Sequence, residues 1–100
     1  MASREAVLRW FAGRRPTPPP ILRRYLTDLV VDSPETLPEH LADAGVALLG
    51  RVLSHPEGGR ELALDLLAAD ALVTYAFEAQ AEFDIGGLTG LARRIAEATA

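Results

Sequence analysis

Apolar residues recur along this chain at helical rather than strand spacing, and the recurrence is densest over residues 60–83. There Leu62, Leu66, Ala69, Leu72, Val73, Ala76, Phe77 and Phe83 share one face at about 100° per residue. Leu64, Ala68, Ala71, Tyr75 and Ala79 make a second face of mostly smaller residues, and Arg60, Asp70, Thr74, Glu78 and Glu82 are confined to a strip that Leu67 interrupts. A helix apolar over most of its circumference is a central one, surrounded by other elements. A membrane span needs about 20 mostly apolar residues, whereas the longest charge-free stretch here is the seven residues 71–77.

The remaining periodic stretches read as helices that surround it. Ser3 is placed to cap a first helix, with Glu5 in its first turn, an apolar face of Ala6, Val7, Trp10 and Phe11, and Gly13 as the stop. Residues 14–20 form an Arg/Pro connector. Residues preceding proline avoid the α region, so the connector is extended and stiff, and Pro20 suits the first position of a second helix. That helix covers residues 21–31, with Ile21, Leu22, Tyr25, Leu26, Leu29 and Val30 on one stripe. Thr36 and Glu39 fit a capping box for a third helix over 37–54, in which Leu41, Ala44, Leu48 and Val52, with neighbouring Leu49 and Leu53, face inward and one of Gly45 and Gly50 permits a close crossing. A turn at 55–59 leads into the central helix. A Gly-rich break at 84–90 precedes a short last helix over 91–98, with Leu91 and Ile95 inward and Arg93 and Arg94 outward. The expected fold is all-α: one domain, a compact bundle of four helices plus a short C-terminal helix, organised around residues 60–83.

Charge divides the chain. Residues 1–24 carry six arginines against Glu5, a net of +5, whereas residues 25–100 carry a net of −9. A basic end on an acidic body predicts pairing within the chain or between chains, or an anionic partner. Arg14, Arg15, Arg23 and Arg24 bracket the proline segment and are the candidate contacts to acids or to an external anion, since guanidinium pairs bidentately with carboxylate and phosphate. Nucleic acid is not the expected partner, because the sequence pI is about 5.0 and no recognition helix is evident. All basic residues are arginine, with no Lys, Asn or Cys, a usage that points to a GC-rich bacterial genome. Absence of cysteine removes disulfides, thiolate metal sites and cysteine nucleophiles. The start of the chain lacks an apolar run of signal-peptide length, so a cytoplasmic location is expected.

Candidate chemistry is sparse. The glycines at 86–90 lack the spacing of a phosphate-binding loop and follow a helix rather than a strand. His40 and His55 have neither zinc-motif spacing nor a Glu three residues before them, and both are expected at the surface at helix ends. Glu57, Glu61 and Asp65 stack at four-residue intervals and read as acids at a positive helix end; Asp65, on the border of the apolar face, needs a partner if it is buried. The run 68–78 (AADALVTYAFE) resembles the apolar helix of trans-type polyprenyl diphosphate synthases, where a Gly-Asp pair precedes a similar run. Ala69 stands in place of that glycine, and the Asp-rich diphosphate-binding motifs of that family are absent, so its catalysis is not implied. No metal or cofactor is expected.

Two functional expectations follow. The leading one is a non-enzymatic helical protein that works by association, as a homodimer or a subunit of a larger complex, through Val7, Trp10 and Phe11. The alternative is a small-molecule-binding or enzymatic bundle with a polar pocket near Asp65, Asp70 and Tyr75.

Overall fold

A computed structural model describes residues 1–100, the side chain of Glu61 excepted. Five α-helices follow in order: α1 (Arg4–Ala12), α2 (Pro20–Leu29), α3 (Leu37–Leu53), α4 (Arg60–Phe83) and α5 (Leu88–Thr99). Each start has a local reason. The Ser3 hydroxyl accepts from the Ala6 amide at 3.1 Å. Proline occupies the first position of α2, where its missing N–H costs nothing. Thr36 and Glu39 form the reciprocal capping box of α3. Asp84 accepts from the Gly86 amide and holds a 3₁₀ turn, Ile85–Gly87, that leads directly into α5. That helix therefore begins three residues before the expected Leu91 and is 12 residues long, longer than α1 or α2.

The bundle is built around α4, which packs on α3 along most of its length and also touches α2 and α5. Leu72, Ala68 and Ala76 of α4 meet Leu41 of α3 and Leu26 of α2 in the core, all of them almost fully buried. Enclosing a leucine this completely contributes roughly 1.5–3 kcal/mol. The Cα radius of gyration is 13.2 Å, the value of about 13 Å that a folded chain of this length has. Among the described residues, no helix is long and apolar enough to cross a membrane.

Gly45 is the glycine that the α3–α4 crossing requires. A Cβ there would lie 2.9 Å from Val73 Cγ2, 3.2 Å from Leu72 Cβ and 3.3 Å from the Ala69 carbonyl oxygen. Gly50 faces open space. At the other end of the molecule Ala2 and Ser33 exchange backbone hydrogen bonds of 2.9 and 2.8 Å, tying the N-terminal residues to the α2–α3 loop. This pairing explains why α2 stops at Leu29. Val30 turns to extended backbone and its carbonyl accepts from Arg4 Nε at 3.1 Å, while its side chain stays in the core.

Several residues expected to face inward do not. Ile21 is 73% exposed at the first turn of α2, and Phe83 is exposed at the last residue of α4. Helical spacing places such residues on the apolar stripe, but a stripe that runs past the end of its neighbour has nothing to cover it. Leu66 is also exposed, in mid-helix, for a different reason taken up below.

Candidate functional site

The apolar face of α1 is spent inside the chain. Val7 is 0% exposed and belongs to the core. Trp10 stands edge-on to Tyr75 of α4, with ring centroids 5.8 Å apart, and Phe11 lies 5.6 Å from the same ring. Trp10 Nε1 donates to Glu82 at 3.0 Å. Arg14 lies 3.8 Å above the Trp10 ring and pairs with Glu82 at 2.7 Å and Glu78 at 3.6 Å. Val7 is thus part of the core, whereas Trp10 and Phe11 stay partly exposed while packing on Tyr75. The hydrogen bond from Arg14, and then that from Trp10, holds the Glu82 carboxyl below the usual range; burial, and then Glu78, raises the Tyr75 phenol.

The four bracketing arginines do not form one site. Arg14 pairs with the acids of α4 as described, and Arg15 folds back to donate to the carbonyls of Ala12 and Arg14. Arg23 and Arg24 are exposed on α2 and have no carboxylate partner among the described residues. Two other arginines, not singled out in the sequence, do more of the fastening. Arg4 donates to the carbonyls of Val30 and Thr27, and its amide donates to Asp32. Arg94, expected to point outward, reaches Asp43 at 2.7 Å, Glu39 at 3.1 Å and Glu35 at 3.7 Å, clamping α5 to α3. The Arg94 hydrogen bond lowers the Asp43 carboxyl, and Asp43 in turn raises Arg94.

Asp65, Asp70 and Tyr75 point to three different places. Asp65 is 2% exposed, accepts a short hydrogen bond from the Tyr25 hydroxyl of α2, and has Arg51 Nε of α3 at 3.5 Å. This is the partner that a buried carboxylate needs, and it joins three helices. Burial first, and the bond to Asp65 second, raise the Tyr25 phenol. Asp70 is exposed on the other side of α4, beside Gly45, and Tyr75 belongs to the aromatic cluster. No common polar pocket therefore forms from the three.

His40 is buried rather than superficial, with Nε2 enclosed and without a hydrogen-bond partner. Its desolvation lowers its pKa, against a smaller opposing effect of Asp43. His55 is exposed at the end of α3, its Nδ1 2.8 Å from the Arg51 carbonyl. Of the stacked acids, Glu57 is exposed in the turn before α4 and Asp65 is committed to Tyr25 and Arg51; the side chain of Glu61 lies outside the described residues. Among the described residues no group of His, Asp and Glu is arranged to hold a metal ion.

What remains open is one side of the α3–α4 pair. Gly45 and Ala69 floor a groove of about 230 Å³ whose walls are Leu49, Leu66 and Val73, with Asp70 at its edge. Leu66 also borders a second depression of about 420 Å³ at the end of the pair, with Val52, Leu53 and Leu62. The two share Leu66, and two exposed leucines line them: Leu53 is 71% exposed and Leu66 50%.

Compared with models of known families, with curated proteins and with solved structures, the chain matches none.

The α3–α4 face was only partly visible beforehand. Helical spacing places Leu62, Leu66 and Val73 of α4 and Leu49 and Leu53 of α3 on inward faces, yet Leu53 and Leu66 are exposed because no neighbouring helix covers them. The usable signal is the width of the apolar arc over the 24 residues of α4.

Proposed function

We propose that this protein works by association with another folded chain, in the first instance a second copy of itself, and that the α3–α4 face is the surface it uses. The observation that carries this reading is that exposed Leu66 lines the groove floored by Gly45 and, together with exposed Leu53, the neighbouring depression at the end of the helix pair. Contiguous exposed apolar surface of this kind marks interaction sites. A two-fold interface must be self-complementary, with protrusion and recess on the same surface. Here Leu53 protrudes two turns along α3 from the recess at Gly45, a separation of about 12 Å at helical rise.

Sedimentation or light scattering at tens of micromolar should give the mass of two chains. Replacing Leu53 and Leu66 together with Glu should yield one chain with unchanged far-UV circular dichroism. A wild-type mass of one chain, or a dimer indifferent to both substitutions, overturns the reading.

A further inference from the structure

On the opposite side of the molecule, a cavity of about 200 Å³ opens between α1 and α2. Leu8, Phe11, Leu26 and the Tyr75 ring form most of its lining, with Pro18 of the connector. Its polar lining comes from Arg23 and Thr27, and the Thr27 hydroxyl already donates to the Arg23 carbonyl at 2.9 Å. Arg23 is thus the one charged residue lining an otherwise apolar cavity, and its guanidinium has no carboxylate partner among the described residues. Of the neighbouring arginines, Arg4 and Arg15 are engaged on carbonyls and Arg14 on Glu82, while Arg24, likewise without a carboxylate partner among the described residues, does not line the cavity.

Size and chemistry together restrict the occupant. An apolar cavity of about 150 Å³ accommodates benzene, so this one takes a single ring with a short linker and excludes anything much larger. Phe11 and Tyr75 present ring surfaces suited to edge or offset stacking with an aromatic body. One guanidinium calls for one planar anion, which it meets bidentately. We propose that the cavity between α1 and α2 binds a small aromatic carboxylate, its ring against Phe11, Leu26 and Tyr75 and its carboxylate on Arg23. This site shares no lining residue with the α3–α4 face and stands or falls separately from it.

The test uses phenylacetate and the intact chain, with saturation-transfer NMR and Trp10 fluorescence as readouts; Trp10 is 5.8 Å from the Tyr75 ring and reports on its surroundings. Saturable binding is expected, weakened about tenfold, the value of about 1.4 kcal/mol, by Arg23→Gln. The neutral 2-phenylacetamide should bind Arg23→Gln and wild type alike. Ala12→Phe, which adds a ring at the cavity lining, should abolish both without loss of helicity; if it unfolds the chain, Leu8→Trp replaces it. Absence of saturation up to about 10 mM, where even a Kd of about 1 mM would show, overturns the proposal. Undiminished phenylacetate affinity in Arg23→Gln removes the carboxylate assignment, and binding that survives both filling variants places the ligand elsewhere.

Discussion

Against α3, the central helix presents Ala69, Leu72 and Val73 to Gly45, so close that a single added methyl group would collide. Against α1 and α2 it presents Asp65, Tyr75, Glu78 and Glu82, which meet Tyr25, Phe11, Arg14 and Trp10 through hydrogen bonds, ion pairs and ring edges. One flank is held by backbone proximity and apolar contact, the other by long side chains with polar tips. The first leaves leucines uncovered beside it, and the second leaves a cavity within it. Close helix approach buries the contact line completely but does not shelter the residues flanking it. Packing through large side chains spreads over a wider area and tolerates gaps.

The comparison can be broken most decisively at Asp65. Tyr25→Phe removes the hydroxyl bonded to this buried carboxylate and leaves it with Arg51 alone, 3.5 Å away. A loss of about 1–3 kcal/mol is expected, read as a lower urea midpoint at unchanged slope. A neutral result would mean that the α2 flank rests on apolar contact after all.

On the α3 flank two glycines of one helix should respond with opposite sign. Gly50→Ala, in open space, should stabilise by up to about 1 kcal/mol through helix propensity. Gly45→Ala gains the same propensity but overpacks the crossing at a cost of about 1–3 kcal/mol, for a net loss. Equal responses would show that Val73 yields freely and that the crossing is not close-packed.

The smallest effects lie in acid. His40 has a lowered pKa in the folded chain, so the unfolded chain binds its proton more readily, and stability falls as pH drops through about 6.5. Asp43 is likewise lowered by Arg94, so that contribution is complete above its usual value of about 4 and is lost below it. Stability against pH should therefore decline in two windows. His40→Leu should remove the upper one, and Arg94→Gln the lower, at about 0–1 kcal/mol because the network is partly exposed. A curve that either variant leaves unchanged would detach that residue from the acid response.

Local reasoning succeeded wherever a short stretch contains both partners of an interaction. The Ser3 cap, the Thr36–Glu39 capping box and Pro20 at the head of α2 each depend on residues within one turn. It failed where the partner lies far along the chain. Arg94 looked solvated because its acids are 51 to 59 positions away, and the end of α2 was overrun because its stop is set by Ala2 pairing with Ser33. His40 sits at a helix start, where exposure is the rule, yet is covered. For the candidate sites, the large residues of α1 are legible in the sequence, but their packing on Tyr75 and Glu82, more than 60 positions away, is not.

By itself the sequence determined the class of structure, the number and approximate extent of its helices and the primacy of residues 60–83, because helical periodicity and capping are properties of neighbouring residues. Only the tertiary structure decided which helices cover the two apolar faces of α4. That choice depends on which helices reach it and how closely: Gly45 draws α3 against Ala69, while Trp10 and Phe11 bring α1 over Tyr75. Apolar residues beyond the reach of both, Leu53 and Leu66 among them, are left at the surface by geometry that no single helix encodes.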